Sequence, residues 1–172
     1  MKIVDNFLDR EIFETLQKIL VSPDIGWFHQ DVVAHDEKDL LDTYFIHTFF
    51  ANSYGLPRGI LSNVYSQFLP LLDKLNVDSL LRLRANNYPR TDKIVQHNFH
   101  TDASYPHQTA ILYMNTNDGF TGIKDGKKIK KIESIENRAL LFDGSVEHCS
   151  TTCTDIKSRI VVNVNYITSF PQ

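Results

Sequence analysis

The sequence predicts an α+β fold in which helices pack on one face of a β-sandwich or jelly roll. Two amphipathic helical segments lie in the first half of the chain, and short strand-like segments follow one another from Ser79 onward. Helices followed by a run of strands are typical of this class. The 172 residues contain no internal repeat and no linker rich in Gly, Ser or Pro. We therefore expect a single domain over 1–172, with a helical support over about 1–78 and a jelly-roll core over about 79–170.

Apolar residues at helical spacing predict the two helices. The apolar face of the first is formed by Leu8, Ile12, Leu16, Ile19 and Leu20, and Pro23 lies beyond its end. The second is predicted to start near Pro57, with an apolar stripe formed by Ile60, Val64, Phe68, Leu71 and Leu75. Pro70 lies inside this stripe, so we expect a kink or break there. Between the helices, residues 43–50 are rich in β-branched and aromatic side chains and predict a strand.

The second half of the chain is predicted to consist of strands joined by turns. The strand-like segments are 80–88, 109–115, 121–124, 138–142 and 159–167. Asn117-Asp118-Gly119 and Asp125-Gly126 predict turns, the second of them a hairpin. The basic run 124–131 is interpreted as a solvated hairpin loop.

Composition narrows the possible functions. The net charge of −3 gives no basic field of the kind that dominates nucleic-acid binding, so a nucleic-acid partner is not expected. Two cysteines suggest neither a disulfide framework nor a zinc knuckle. No apolar run resembles a signal peptide or is long enough to span a membrane. We expect a soluble, cytoplasmic protein, and the oligomeric state stays open.

The segment that carries chemistry is His100-Thr101-Asp102. Residues two apart in a strand point to the same side, so this imidazole and this carboxylate can face one point. His148 is the best candidate for a third ligand, because it follows a predicted strand and a turn at Asp143-Gly144. Two His and one carboxylate form the facial triad of non-heme iron(II) oxygenases, which leaves positions open for a chelating co-substrate and oxygen. An HxD tripeptide alone is weak evidence, since it also occurs as two polar residues on a strand edge.

Arg159 strengthens this interpretation. It lies eleven residues after His148 and opens a strongly apolar strand. A cation at the head of a buried strand needs an anion. The distal carboxylate of 2-oxoglutarate suits a guanidinium, which can bind it in a bidentate manner. A salt bridge with an Asp or Glu of the chain is the alternative.

The segment 85–166 resembles the catalytic core of the prolyl 4-hydroxylase-type iron(II)- and 2-oxoglutarate-dependent dioxygenases. The similarity rests on Tyr88-Pro89 followed by the HxD, on the strands 111–115 and 137–143, and on Arg159 with Val164-Asn165-Tyr166. Residues 4–8 also resemble the opening of many members. The pieces cover roughly half of the chain, and their combination is specific although each piece is not.

The resemblance implies a double-stranded β-helix, a cupin-like jelly roll, and an enzyme that hydroxylates a C–H bond with release of succinate and carbon dioxide. By the same resemblance His100, Asp102 and His148 bind iron(II), and Arg159 binds 2-oxoglutarate. Ascorbate is a further expected reductant. Tyr88 and Tyr113 correspond to tyrosines that can hydrogen-bond the co-substrate.

Strand parity adds Asn86 to the predicted co-substrate site, because it shares a face with Tyr88. Tyr113 likewise shares a face with residues 109, 111 and 115. Ordinary core packing with a satisfied hydroxyl is the alternative for Tyr113. His97 is interpreted as lying near the substrate mouth or simply exposed, and the stretch 31–41 as a candidate substrate-covering loop.

Departures from the family pattern make a prolyl substrate less certain. Phe120-Thr121-Gly122 stands where prolyl hydroxylases often carry Gly-Gly-Glu-Thr, and Arg159 replaces the Lys of the collagen-type branch. Oxygenases that repair alkylated nucleic acid need a second Arg where this chain has Asn165. Peptidyl proline, a free amino acid and another small metabolite stay open as substrates, with O2 as co-substrate. The rival functions are a metal-dependent jelly-roll isomerase or epimerase and a catalytically silent binding module.

Overall fold

Antiparallel strands are the main regular elements of the structure, a computed structural model that describes residues 1–31, 43–52 and 58–169. The helices are α1 (Arg10–Leu20) and α2 (Leu69–Lys74), with a 3-10 helix (Tyr65–Phe68) directly before α2. The strands are β1 (Lys2–Val4), β2 (Phe28–Gln30), β3 (Tyr44–Ala51), β4 (Gly59–Ile60), β5 (Ser79–Pro89), β6 (Gln108–Tyr113), β7 (Asn117–Asp125), β8 (Lys128–Ser134), β9 (Ala139–Asp143), β10 (His148–Cys149) and β11 (Ser158–Ile167). The candidate loop 31–41 lies outside the described residues, apart from Asp31.

The strands form two sheets. The major sheet has the order β1-β9-β6-β11-β5-β3-β2, with β4 paired to β3, and the minor sheet has the order β10-β7-β8. All the pairings are antiparallel, which is consistent with a jelly roll. The region 1–78, which was expected to be a helical support, also contains β1 to β4, and these four strands belong to the major sheet.

Alternate residues of the major sheet belong to two hydrophobic clusters. In β11, Val162 and Val164 lie in a large cluster that also contains residues of α1 and α2. Val161 lies in a second cluster, together with Ile123 and Ile132 of the minor sheet. The two-residue period of a strand sends neighbouring side chains to opposite faces. One face of the sheet therefore contributes to the helical cluster, while the other faces the minor sheet and the polar site.

The first helix agrees with its prediction in its end and in most of its apolar face, although Leu8 lies before the helix and Phe13 was not predicted to be part of that face. Phe13, Leu16 and Leu20 of α1 are buried on one face. The helix ends at Leu20, Ser22 N donates to Ile19 O, and Pro23 follows. The backbone turns away here because a proline cannot continue the helical hydrogen bonding.

The predicted start of the second helix is wrong. Gly59–Ile60 is a strand paired to β3, and Pro57 lies outside the described residues. The α-helix begins only at Leu69, so Pro70 falls in its first turn instead of breaking it. A proline is tolerated there because the first amides of a helix have no partner within the helix. Apolar spacing alone could not separate a short strand and a 3-10 helix from one long helix.

Two turn predictions need correction. Asn117, Asp118 and Gly119 do not form a separate turn but begin β7, where the register against β8 shifts between Asn117 and Phe120. This is the irregularity of a bulge, which favours the same residue types as a turn. The basic run 124–131 is not all loop either. Gly126 and Lys127 make the hairpin turn, one residue later than the predicted Asp125-Gly126, because Asp125 still pairs with Lys128. Gly126 has φ 61°, and Lys128 onward forms β8.

The membrane expectation rested on the sequence, and one finding bears on it. No helix in the described ranges is long and apolar enough to cross a membrane.

Candidate metal and co-substrate site

His100, Asp102 and His148 form a group whose potential ligand atoms all lie within 4.8 Å of one another. The Nε2 of His148 is 3.8 Å from Oδ2 of Asp102, and the Nε2 of His100 is 4.0 Å from Oδ1. The two histidines are directly opposite each other, since each backbone N–H donates to the other's carbonyl at 3.0 Å. The structure thus brings together the three predicted ligands.

The prediction that His100 and Asp102 share a regular strand is wrong. His100 makes one isolated bridge to His148, and Asp102 lies at a bend. The carboxylate reaches the histidines because partners from β5 and β11 hold it, not because of strand parity.

Hydrogen bonds orient both imidazoles. The Nδ1 of His100 lies 3.2 Å from the carbonyl of Asn98, and the Nδ1 of His148 lies 3.2 Å from that of Val146. An imidazole that donates through Nδ1 keeps Nε2 free as a ligand. Burial lowers the pKa of His148, and His100 adds to this, although Asp102 opposes it. A lowered pKa favours the neutral imidazole that a metal requires.

Both carboxylate oxygens of Asp102 accept hydrogen bonds from side chains of the major sheet. Arg82 Nη2 donates to Oδ1 at 2.6 Å, and Asn165 Nδ2 donates to Oδ2 at 2.8 Å. Arg82 Nε also donates to Asn165 Oδ1 at 3.0 Å, so the two partners are joined to each other. Burial by itself raises the pKa of Asp102, but Arg82, His148 and Asn165 outweigh it and hold that pKa well below its usual range. The carboxylate is therefore ionised at neutral pH.

Arg159 lies at the other end of the pocket and is 1 % exposed. Its Nε donates to Ser134 Oγ at 2.7 Å and its Nη2 to Thr121 Oγ1 at 2.9 Å. Its Nη1 is buried and has no hydrogen-bond partner, and no carboxylate of the described residues pairs with this guanidinium. The alternative of a structural salt bridge thus has no support in the described ranges. A buried guanidinium with an unused donor is suited to an incoming anion.

The other predicted co-substrate residues surround Arg159. The ring centres of Tyr88 and Tyr113 lie 5.5 and 5.6 Å from the centre of its guanidinium. The Tyr113 hydroxyl donates to Thr121 Oγ1 at 2.9 Å. Asn86 Nδ2 lies 3.3 Å from the Tyr88 hydroxyl, and Asn86 Oδ1 is buried without a partner. Thr121 accepts two hydrogen bonds and so keeps its own hydroxyl proton for a ligand oxygen.

One pocket connects Arg159, Thr121, Tyr88 and Asn86 to the two histidines, while Tyr113 lies behind Thr121 and is not part of its lining. Its lining residues are Tyr44, Arg84, Asn86, Tyr88, His100, Ile111, Thr121, His148, Cys149, Ser150, Arg159, Val161 and Asn163. Sequence reasoning missed Arg82, Arg84, Asn163 and Thr121 as residues of the site. The signal that could have found the arginines is the alternation of polar side chains along β5, which points them to the same face as Tyr88.

The neighbouring histidines are buried, not exposed. His97 is 1 % exposed, so its interpretation as a simply exposed residue is wrong. Its Nδ1 lies 2.8 Å from Ser150 Oγ, and burial lowers its pKa to about 4, with Arg159 adding to this. His107 is also buried, and its Nδ1 lies 2.8 Å from the carbonyl of Tyr105. Neither belongs to the group of potential metal ligands within the described ranges.

Comparison with known proteins supports the fold. No protein-family model and no curated protein matches the sequence. Among solved structures, the chain is similar to a prolyl hydroxylase from Trichoplax adhaerens, in complex with a hypoxia inducible factor oxygen degradation domain peptide fragment. The TM-score is 0.66 and the identity 16 %, over 96 % of this chain and 82 % of that one.

Two bacterial structures give the same result. A 2OG-Fe(II) oxygenase family oxidoreductase from Burkholderia pseudomallei has a TM-score of 0.69 at 11 % identity, over 95 % of this chain and 83 % of that one. A Pseudomonas putida prolyl-4-hydroxylase has a TM-score of 0.61 at 12 % identity, over 97 % and 91 %. The predicted resemblance is thus confirmed at the level of the fold. At these identities the similarity does not assign the chemistry, which has to be argued from the site.

Proposed function

We propose that the protein is an iron(II)- and 2-oxoglutarate-dependent dioxygenase of the prolyl 4-hydroxylase type. The observation that carries the proposal is one pocket that has potential metal ligands at one end and a potential anion-binding group at the other. At one end is the group of His100, Asp102 and His148, and at the other is the buried, unpaired Nη1 of Arg159. A metal triad alone fits several enzymes, whereas a triad facing a buried guanidinium fits a co-substrate that both chelates a metal and carries a distant carboxylate.

The side chains present fit both cofactors. Two imidazoles with Nε2 facing inward and one ionised carboxylate are the donor set of a facial iron(II) site. For 2-oxoglutarate, Arg159 offers Nη1 and Thr121 offers a hydroxyl proton. Iron(II) with 2-oxoglutarate and O2 supplies the oxidation of a C–H bond, with release of succinate and carbon dioxide.

The residues of the chain bind, orient and exclude water. Arg159 and Thr121 hold the far carboxylate, Tyr113 positions Thr121 by donating to its hydroxyl, and Asn86 and Tyr88 line the path from there to the metal end. Ile111 and Val161 add apolar wall, which strengthens electrostatic interactions by keeping water out. The substrate is a protein, a peptide or a small molecule, and the peptide in the Trichoplax adhaerens complex supports a peptide as one such substrate.

The finer features of the fold belong to the same proposal. The whole chain acts as one domain, and the N-terminal helices support the double-stranded β-helix, as their shared hydrophobic cluster with β5 and β11 suggests. Ascorbate is proposed as a reductant on the family resemblance alone. The rival functions, an isomerase or epimerase and a silent binding module, are not favoured, because neither needs a buried unpaired Arg159 opposite the triad.

An anaerobic titration of the metal-free protein with iron(II) and 2-oxoglutarate tests the proposal. We expect the weak visible charge-transfer band of the chelate to need both cofactors. It should disappear in Asp102→Ala, which removes a ligand. In Arg159→Gln it should need at least about tenfold more 2-oxoglutarate, because a charge-assisted hydrogen bond to its far carboxylate is lost.

Arg90→Gln is the matched control for the second variant, since it removes one exposed positive charge outside the pocket. Normal iron binding without any band in the unmodified protein would move the isomerase and binding-module functions to the front.

A further inference from the structure

Arg84 extends from β5 into the metal end of the pocket. Side chains at alternate positions of β5, from Arg82 to Tyr88, share one face of the sheet. In this register Arg84 is opposite Asn163 of β11, whereas Tyr88 is opposite Arg159. The two arginines are therefore separated by four residues along the strands, about 13 Å of backbone. They mark two different positions in one pocket.

Among the residues that the structure describes, no anion is paired with Arg84. Its Nε is buried without a hydrogen-bond partner, and the described ranges contain no hydrogen bond or ion pair to its guanidinium. Its guanidinium makes a cation–π contact with Tyr44, whose ring centre lies 5.9 Å from the guanidinium centre. The nearby carboxylate of Asp102 is already engaged by Arg82 at 2.6 Å. Arg84 nevertheless carries charge, because a guanidinium is not deprotonated in proteins.

Two amide side chains beside Arg84 have unused hydrogen-bonding capacity. The Oδ1 atoms of Asn86 and Asn163 are buried without partners, and both residues line the same pocket. Native proteins rarely leave several buried polar atoms unpaired in one place unless a ligand satisfies them. The amide groups here can donate as well as accept, since the assignment of the amide nitrogen and oxygen follows the ligand.

The charges of the pocket point to an anion beyond 2-oxoglutarate. Arg82, Arg84 and Arg159 bring three positive charges, and Asp102 brings one negative charge. A bound iron(II) adds two positive charges and 2-oxoglutarate two negative ones. Among the charges of the described residues, two positive ones then remain on this side of the pocket, in a buried setting where uncompensated charge is costly.

We propose that Arg84, with Asn163, binds a carboxylate or similar oxyanion at the metal end of the pocket, and that an acidic group of the primary substrate supplies it. This inference rests on the proposed function and names its substrate class, an acidic molecule with a carboxylate or phosphate close to the carbon that is oxidised. The metal-binding carboxylate of 2-oxoglutarate could supply the same chemistry, and the two arms of the experiment separate these sources.

The first arm measures the affinity of the anaerobic iron(II) protein for 2-oxoglutarate. We compare the unmodified protein with Arg84→Gln, Arg84→Lys and the control Arg90→Gln, using the chelate band. The expected result is an affinity within about twofold in every variant. A loss of tenfold or more in Arg84→Gln would overturn the assignment to the primary substrate, because Arg84 would then hold the co-substrate.

The second arm uses N-acetylglycine as a carboxylate probe and N-acetylglycinamide as its neutral match, added to the iron(II)–2-oxoglutarate protein under argon. Binding is followed by calorimetry and by a shift of the chelate band. We expect the carboxylate to bind at millimolar concentration to the unmodified protein and to Arg90→Gln. Arg84→Gln should bind it at least about tenfold more weakly, and Arg84→Lys should recover part of the loss.

Equal binding of the carboxylate to Arg84→Gln and to the unmodified protein would overturn the proposal, and so would equal binding of the neutral amide. Thermal unfolding of each variant shows whether it has folded. If the unmodified protein forms no chelate, the proposed function fails on its own. The probe is then titrated into metal-free Arg84→Gln and Arg159→Gln, where loss of binding in the first alone still supports an oxyanion site at Arg84.

Discussion

Arg82 Nη2 donates a hydrogen bond to Oδ1 of Asp102 across 2.6 Å, and the same guanidinium holds the amide that bonds Oδ2. That amide, Asn165, also donates to Thr109 Oγ1 at 3.1 Å, which ties the group to a third strand. The carboxylate therefore has little freedom to rotate. Fixing a ligand in this way tunes both the affinity and the geometry of a metal site.

Replacing Arg82 should weaken metal binding without removing any ligand. We expect Arg82→Met to lower the affinity for cobalt(II), a spectroscopic substitute for iron(II), by about 10- to 100-fold. The physical reason is that Asp102 loses the donor that orients it. Visible absorption during cobalt titration measures both the affinity and the coordination geometry.

Arg82→Lys is the matched variant, since it keeps the charge but not the planar fork, and it should recover part of the affinity. An unchanged cobalt affinity in Arg82→Met would contradict the role given to this pair.

Gly119 keeps space for Arg159. A Cβ built at this position would lie 2.8 Å from Arg159 Cδ and 2.5 Å from the Thr152 carbonyl oxygen. We expect Gly119→Ala to displace the arginine, to lower the free energy of unfolding by about 1–3 kcal/mol, and to weaken 2-oxoglutarate binding. Gly26→Ala is the control, because a Cβ there meets the Phe28 ring at an ordinary 3.6 Å. Chemical denaturation measures the change in the free energy of unfolding, and the chelate titration measures the affinity for 2-oxoglutarate. Equal affinity for 2-oxoglutarate in Gly119→Ala and Gly26→Ala would disprove the displacement of Arg159.

Stability of the metal-free protein should fall as the pH falls below about 6.5. Burial lowers the pKa of His97 from 6.5 to about 4, so the unfolded chain takes up a proton that the folded chain refuses in this window. A group that binds more protons in the unfolded state lowers the free energy of unfolding as the pH decreases. The loss should reach about 3 kcal/mol near pH 4, at about 1.4 kcal/mol per pH unit. The lowered pKa of His148 acts in the same direction.

Denaturant unfolding at pH 7, 6 and 5 measures this slope. His97→Gln should flatten it, since the titrating group is gone. A slope that is the same in both proteins would show that His97 is not responsible.

Both cysteines should resist thiol reagents in the native protein. Cys149 and Cys153 are fully buried, and burial raises the pKa of Cys149 to about 11. At neutral pH this leaves about a hundredfold less reactive thiolate than an ordinary cysteine has. We expect slow reaction with an aromatic disulfide reagent in buffer and fast reaction in denaturant, followed by absorbance. Rapid modification of one thiol in the native state would contradict this.

Much of the site could be predicted from short stretches of sequence. His100 and Asp102 are two residues apart, and Arg159 opens an apolar strand, so each is marked by its immediate neighbours. β5 could be predicted because its apolar residues alternate with polar ones, and β11 because it is a nearly continuous apolar run. The error at Pro57 arose where the same apolar spacing runs through a short strand and a 3-10 helix.

The partners of those residues could not be predicted in the same way. Arg82 lies 20 residues from Asp102 and Asn165 lies 63 residues from it, and nothing in the local pattern joins them. Their meeting depends on the register of β11 against β5, in which Asn165 is opposite Arg82. A shift of one residue would send both side chains to the other face of the sheet.

The sequence by itself determined which residues can bind a metal and an anion. It also determined most of the strands that hold them, because a strand is recognised from the pattern of residues next to one another in the chain. The tertiary structure decided that His100 and His148 are paired directly, that Asp102 is held by Arg82 and Asn165, and that Arg84 has no counter-ion within the described part of the chain. These are contacts between distant parts of the chain, and they are selected by the packing of two sheets and not by any local preference.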